Sequence, residues 1–424
     1  MHHHVTMPPE DNGVSSGPTR PGSPAGPGSQ SALRRENVRR VTTALAGDGP
    51  ATQAQLTRVT GLSAGTVASI VHDLEAEGRL KLSPTTSSGR RALLIHLVDT
   101  GRVAAGIDIG RAHVRAIIAS PTHEILGEAV RRLPVGHDAD TGIAAAVEVL
   151  DQALSQADRT HAHILGAGVG IPGPFDTETG RIGSGAILPE WVGLDIADRM
   201  SAVLGLPVQV GNDANLGALA HLGWGEHSAG ENFVFVKIGT GIGMGLVVDG
   251  RVYTGHSGLA GEIGHSVVID QGAVCRCGNR GCLETVASTA AMLHALSAVP
   301  KPPSTTDELV ERALAGDIAT CRVVEDAGAS LGKVLGQIAS ILNPHTILIG
   351  GPLSVLNGHL LDPIMRGLTR HTVPDIIDTT TVAMAGLGDR AEALGAALSV
   401  LMAADPADLY GPVDHSPSGL EVSR

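Results

Sequence analysis

From Arg102 onward the chain alternates short apolar runs with amphipathic helical stretches, and it passes through that alternation twice. Strand-like segments at 103–109, 114–119 and 125–132 precede a helical stretch over 139–157. A further strand at 164–170 leads into Ile171-Pro172-Gly173-Pro174. Near Asn232 the order restarts, with strands at 233–238 and 244–248 around a glycine-rich turn. Helical stretches over 284–297, 306–315 and 319–342 follow, then a buried strand at 346–349 ending in Gly350-Gly351, and a last helix after Asp389. Two successive βββαβα-like halves predict two α/β lobes with a cleft between them.

The region upstream has a different texture. Residues 1–30 hold six prolines and five glycines without periodicity, and are expected to form a disordered tail. That stretch has no basic n-region and no apolar h-region, so it does not read as a secretory signal. From Ser31 short amphipathic helices begin, with Val38, Val41 and Leu45 on one face of the first. Thr52 can cap a second helix that carries Leu56 and Val59. Gly61-Leu62-Ser63 makes a tight turn, and Ser63 caps a third helix that buries Val67, Ile70 and Leu74. Ala64, Gly65, Thr66, Ser69 and His72 lie on its other face. A hairpin follows, tipped by Gly89-Arg90-Arg91. Three helices and a basic-tipped hairpin have the layout of a winged helix-turn-helix. The third helix would enter a major groove with Ser63, Thr66, Ser69 and His72. Arg34 and Arg35 on the first helix, with Arg90 and Arg91 on the wing, suit phosphates or a narrow minor groove. A small protein-interaction domain is the alternative reading of such a three-helix unit.

The overall charge argues against a DNA partner, and its distribution argues for one. The 424 residues carry 30 Lys+Arg against 43 Asp+Glu, a net of −13, which as an average would repel phosphates. Seven aromatic residues (2 Trp, 2 Tyr, 3 Phe) are too few for a single-strand stacking platform. Residues 31–98, however, sum to +4, the tail to −1 and the remainder to −16. A basic reader is attached to an acidic body. No run of 18 apolar residues suggests a membrane span. Four cysteines are too few for a disulfide scaffold and fit a reducing cytoplasm.

Three of the cysteines, Cys275, Cys277 and Cys282, fall within eight positions, and His265 precedes them in Gly261-Glu262-Ile263-Gly264-His265. Three thiolates and an imidazole can close a tetrahedral Zn²⁺ site with no open position, hence a structural one. Free buried thiols or a redox pair are the alternatives. A glycine-rich turn, Gly239-Thr240-Gly241 followed by Gly243, could cradle a phosphate or simply close a hairpin. Gly211-Asn212-Asp213 joins a strand to a helix, where Asp213 could act as a general base or as an ordinary cap.

Together these residues resemble the ROK family (repressor, open reading frame, kinase) over about residues 32–403. The most specific motifs are the 238–245 turn, Gly261-Glu262-Ile263-Gly264-His265, and the Cys-x-Cys-Gly-x-x-Gly-Cys-x-Glu run ending at Glu284. The resemblance implies a two-lobed, actin-like ATPase (sugar-kinase-like) α/β fold behind the winged helix-turn-helix. It implies that Asp213 matches the kinases' catalytic base, vestigial here. Asn212, Asp213, Glu262, His265 and Glu284 match the sugar-binding set. Asp108, Gly110, Gly239, Thr240, Gly241 and Gly243 are the remnant of the phosphate loops. His265, Cys275, Cys277 and Cys282 match the metal ligands. The expected divisions are a tail (1–30), a DNA-binding domain (31–99), a first lobe (102–230), a second lobe with the zinc loop (231–388), a C-terminal helix packing back on the first lobe (389–404) and a second tail (405–424).

The departures are informative. Kinases of the family read Asp-x-Gly-Gly-Thr-Lys where this chain has Asp108-Ile109-Gly110-Arg111-Ala112-His113. Arg111 blocks close backbone approach to phosphate, and Ala112 lacks a hydroxyl donor. Ile187 stands where a sugar-touching asparagine is usual, and Gly211 where an acid is common. The implied protein is a DNA-binding transcriptional regulator, a repressor of carbohydrate-related genes, that has lost kinase competence. Its partners would be a palindromic double-stranded operator, a sugar or sugar phosphate effector, and a second copy in a dimer or tetramer. It would be cytoplasmic, and nucleoid-associated when DNA-bound. The alternatives are an ATP-dependent hexose kinase with an appended DNA-binding domain, and a regulator blind to ligands. Arg111 could itself bind the phosphate of an effector, or pair with a nearby carboxylate.

Overall fold

The computed structural model describes residues 30–47, 49–87, 90–98, 100–176, 181–183, 188–225, 231–405 and 408–409. Gly89, Ile187 and most of the two expected tails lie outside these residues. In the N-terminal unit, α1 (Gln30–Gly47) is followed by β1 (Ala51–Thr52), α2 (Gln53–Thr60), α3 (Ala64–Ala76), β2 (Leu80–Ser87) and β3 (Arg90–Leu97). Thr52 and Gln55 form a reciprocal capping box on α2, which ends at Gly61 in the left-handed region with φ 68°. Ser63 Oγ accepts the Thr66 N–H and starts α3. Val41, Leu45, Leu56, Val67, Ile70, Val71, Leu74, Leu80 and Ile95 form one small core. Of the two large apolar residues that α2 carries, Leu56 reaches the core and Val59 is 63% exposed, because α2 is only two turns long. The hairpin also pairs further than the sequence suggests. Its ladder runs from Leu80↔Leu97 to Ser87↔Arg90, so Arg90 and Arg91 lie on a strand rather than in a polar loop.

The body contains two sheets with the same wiring. The first half comprises β4 (Val103–Ile109), β5 (His113–Ala119), β6 (Ile125–Arg132), α4 (Ala139–Gln156), β7 (Ile164–Ile171), β8 (Phe175–Asp176), β9 (Arg181–Ile182), α5 (Ile196–Leu204), β10 (Val208–Asn212) and α6 (Asp213–Gly223). The second comprises β11 (Phe233–Ile238), β12 (Ile242–Val248), β13 (Arg251–Val252), α7 (Glu284–Ala287), α8 (Thr289–Ala295), α9 (Thr306–Leu314), α10 (Ile318–Leu342), β14 (Thr346–Gly350), α11 (Gly358–Thr369), α12 (Pro374–Thr379), β15 (Thr381–Met384) and α13 (Ala391–Ala403). The sheet orders are β10-β7-β4-β5-β6 and β13-β12-β11-β14-β15. In each, an antiparallel meander continues into parallel pairs, β4 with β7 and β11 with β14. The helix expected over 284–297 is split, because Ser288 turns extended and caps α8 through the Ala291 N–H. None of the described helices is long and apolar enough to cross a membrane.

The equivalent helices α6 and α13 pack on each other between the two sheets. Strand alternation explains why. In β4, Val103, Ala105, Ile107 and Ile109 face the core under α4, while Ala104, Gly106 and Asp108 face the other way. In β11, Val234, Val236 and Ile238 face the second-lobe core, while Phe233, Phe235 and Lys237 face the shared helix layer. Contact there is backbone to backbone: a Cβ on Gly106 would meet the Ala393 carbonyl, and one on Gly395 the Leu216 carbonyl. Gly395→Ala is therefore expected to destabilise the protein by about 1–3 kcal/mol, read as a lower denaturant midpoint with an unchanged slope.

Candidate functional site

The expected cleft lies where the two halves meet, and there they place equivalent positions near each other. Asp108-Ile109-Gly110 ends β4, and Lys237-Ile238-Gly239 ends β11. Asp108 is in register with Gly170 on β7, and Lys237 with Gly350 on β14. At the starts of the paired helices stand Asp213 and Glu392. Lys237 Nζ lies 2.8 Å from Asp213 Oδ2 and 3.1 Å from Glu392 Oε1. Burial works against the ammonium, but Asp213, Glu392 and Asp108 together raise its pKa well above the ordinary lysine value. Burial likewise works to raise Asp108, yet Lys237, the His113 hydrogen bond and Arg115 outweigh it and hold this carboxyl below its usual range. For Glu392 burial wins over Lys237, and the pKa is raised.

The first phosphate-loop remnant is folded in on itself. His113 Nε2 lies 2.8 Å from Asp108 Oδ2, and its ring fills the space that a Cβ on Gly110 would need. His137 Nε2 contacts the Gly110 carbonyl at 3.0 Å. Arg111 is half-buried with its Nε unpaired, and no carboxylate of the described residues forms an ion pair with it. The expected carboxylate partner of Arg111 is thus not found among those residues. The second turn is a tight hairpin in which the Gly239 N–H donates to the Gly241 carbonyl; the Thr289 N–H donates to the Gly239 carbonyl.

Asn212, not Asp213, caps α6: its Oδ1 accepts the Asn215 N–H at 3.1 Å, while its Nδ2 donates to the Gly173 carbonyl at 3.0 Å. Asp213 Oδ1 accepts the Ala214 N–H at 2.8 Å. Glu284 accepts the Ile242 N–H at 3.3 Å and pairs with Arg276 at 2.5 Å. Burial, then the charges of Asp213 and Glu284, push the Glu262 carboxyl up to about 7, with Arg276 opposing.

His265 joins this carboxylate group to the cysteines. Its Nε2 is 3.7 Å from Glu262 Oε2, and its Nδ1 is 3.5 Å from Cys275 Sγ. Cys277 and Cys282 sulfurs are 3.7 Å apart, and all four ligand atoms lie within 4.8 Å of one another. A tetrahedron with metal–sulfur bonds of about 2.3 Å has sulfur–sulfur edges of about 3.8 Å, so the cluster is already shaped for a metal ion. Gly281, at φ 65°, lets the loop pass so close to the Ile269 carbonyl that no side chain fits.

The candidate DNA-facing residues sit apart from this cleft. Arg35, Ser63, Ser69, His72 and Arg91 are exposed, and Thr66 is half-buried. Arg34 forms an ion pair with Asp73 of α3, which braces the first and third helices. Ser63 Oγ and Thr66 Oγ1 are 2.8 Å apart. Sequence reasoning missed Lys237, Glu392 and Arg276. The first two left a signal, as lone charges in the otherwise apolar stretches Phe233–Ile238 and 391–398.

The pattern that defines the ROK family matches residues 104–403. The chain belongs to the ROK family. Among its ROK relatives, a xylose repressor of Caldicellulosiruptor bescii is 25% identical over 363 residues, covering 82% of this chain and 90% of its own. A glucokinase of Halalkalibacterium halodurans is 32% identical over 308 residues, covering 68% of this chain and 92% of its own. A solved ROK family transcriptional regulator, a homolog of the E. coli MLC protein, shares the fold with a TM-score of 0.71 at 24% identity, over 89% of this chain and 97% of that one. A ROK family glucokinase from Streptomyces griseus, solved with glucose and AMPPNP, gives a TM-score of 0.62 at 25% identity, over 70% and 98%.

The His265, Cys275, Cys277 and Cys282 cluster of this ROK chain predicts about one bound metal ion per chain by elemental analysis. Cys282→Ser is expected to remove it and to lower the melting temperature by about 5–10 °C.

Proposed function

We propose that the protein is a DNA-binding, sugar-responsive transcriptional regulator whose cleft no longer phosphorylates. The observation that carries this reading is the winged helix-turn-helix joined to the ROK body. The similarity to a xylose repressor extends over 82% of the chain, whereas the two glucokinases reach 68% and 70%. The domain order is a DNA-binding unit over 31–99, lobes over 102–230 and 231–388, and a closing helix over 389–404. The DNA-binding residues are Arg34, Arg35, Ser63, Thr66, Ser69, His72, Arg90 and Arg91. Asn212, Asp213, Glu262, His265 and Glu284 receive the sugar or sugar derivative. Vicinal hydroxyls suit such a set of carboxylates and amides, which accept and donate hydrogen bonds in fixed directions.

Zn²⁺ is the metal that fits three sulfurs and one imidazole nitrogen. It supplies structural tethering, because four protein ligands leave no position for a substrate. His265 would ligate through Nδ1 and face Glu262 with Nε2, so the metal loop fixes the wall that presents Glu262. A homo-oligomer presents two third helices to successive major grooves of a palindromic operator. An effector that binds the closed cleft better than the open one shifts lobe closure, and with it the spacing of the reading helices. This takes place in the cytoplasm.

The way the cleft groups are engaged supports a loss of phosphoryl transfer. Asp213 has one oxygen on Lys237 and the other on the Ala214 N–H, so a sugar hydroxyl bonded to it shares an oxygen that already has a donor and meets no free base. The His113 ring sits over Gly110, where a phosphate would need the bare backbone. The purified protein is expected to shift DNA from its own upstream region, with affinity falling steeply as salt rises. Arg91→Ala should weaken that binding by about tenfold without changing the melting temperature. ATP consumption with a hexose panel should stay at background. Hexose-dependent turnover that Asp213→Asn abolishes would establish the kinase reading instead.

A further inference from the structure

Lys237 is the basic member of a group of four that occupies two pairs of equivalent positions. Asp108 is its counterpart at the end of β4, and Asp213 and Glu392 begin the paired helices α6 and α13. Lys237 touches Asp213 at 2.8 Å and Glu392 at 3.1 Å, and Asp108 acts on it through charge. The side chains of Asp108, Asp213 and Glu392 are 2%, 11% and 4% exposed. Other charges at this place come from His113 and Arg115, both acting on Asp108. Arg115 is itself held by Glu128 and Asp389. Asp108 Oδ1 is buried with no hydrogen-bond partner.

Two carboxylates share one ammonium, and Asp108, buried at the end of the equivalent strand, keeps one oxygen without a partner; buried carboxylate oxygens from separate elements are the donors that suit a hard divalent cation such as Mg²⁺, Mn²⁺ or Ca²⁺. In this chain a lysine ammonium, delivered by the second half of the repeat, stands among them. We infer that Lys237 is a tethered cation filling a latent divalent-metal site between the lobes. The cleft therefore binds its ligand without a free metal ion, and the two halves are joined through an ammonium that cannot dissociate. This deepens the proposed non-kinase reading of the cleft and rests on it only for its consequence; the cation site itself can be tested without DNA, sugar or ATP.

The test compares the zinc-replete full chain with Lys237→Met. Without added metal the variant is expected to melt about 10 °C below the parent, since Asp213 and Glu392 lose the ammonium they share. Mn²⁺ or Ca²⁺ at about 5 mM should restore most of that loss and leave the parent's melting temperature unchanged. Mn²⁺ titration followed by electron paramagnetic resonance should find about one additional ion on the variant and none on the parent, and Asp108→Asn added to Lys237→Met should weaken that ion at least tenfold. If Lys237→Met folds only with the metal present, the inference stands. If it folds under neither condition, Lys237→Met combined with Glu392→Gln restores the charge balance and should still take up Mn²⁺ between Asp108 and Asp213. The inference is overturned if the parent binds Mn²⁺ as well as the variants do, or if neither variant gains an ion. Failure of the DNA-shift experiment would leave this result intact, and the reverse also holds.

Discussion

The Lys237 ammonium and the carboxylates around it hold together what the rest of the molecule is built on. The two lobes have their own cores, but their sheets meet across a layer of small residues, where Gly106, Gly168, Gly217, Gly245 and Gly395 allow close approach. Dispersion there is considerable, yet it has little directional preference. The ion group supplies direction, because it is satisfied only when β4, β11, α6 and α13 are in register. Removing one partner from a buried group of this kind costs about 3–5 kcal/mol, a large fraction of a typical folding free energy.

Around that group the remaining features form a connected path. The cysteine cluster positions His265, His265 faces Glu262, and Glu262 feels the charges of Asp213 and Glu284. On the other side, Glu392 begins α13, whose far end packs Leu398 and Leu401 with Ala104, Leu409 and, from the end of the wing, Leu97. Thr100 Oγ1 donates to the Leu409 carbonyl at 3.1 Å in the segment that joins the winged helix to the body. A helix of 13 residues is about 20 Å long, so α13 spans the distance from the cleft to the base of the DNA-reading unit as one rigid element.

Much of this was legible in the sequence because it depends on periodicity. The largely apolar runs of β4, β7 and β14 and the capping signals at Thr52 and Ser63 carry their conformation locally. The cysteine spacing likewise specified a cluster before any fold was known. What could not be read depends on long-range partners. Helix α11 has Pro363 inside it, and α12 begins on Pro374, so both resemble loop in composition. Strand β15 has four residues and exists because β14 is beside it. Val59 is as apolar as Leu56 and three positions from it, but the second helix is too short to bury both. Lys237 broke an otherwise apolar strand pattern, but which carboxylates it meets is decided by the pairing of α6 with α13, about 180 residues apart.

The wiring of the last helix also dictates an order of assembly. The first sheet buries one face under α4, formed from the same half of the chain, but its other face is covered by α13, the final helix described. Until residue 403 has left the ribosome, Ala104, Gly106 and Gly168 face water or α6 alone, and Asp108 has no lysine-bound neighbour beyond Asp213. The half that is synthesised first is therefore finished last, and a chain cut short near Asp389 loses the lid of its first lobe while the core of its second, which ends at β15, is already in place.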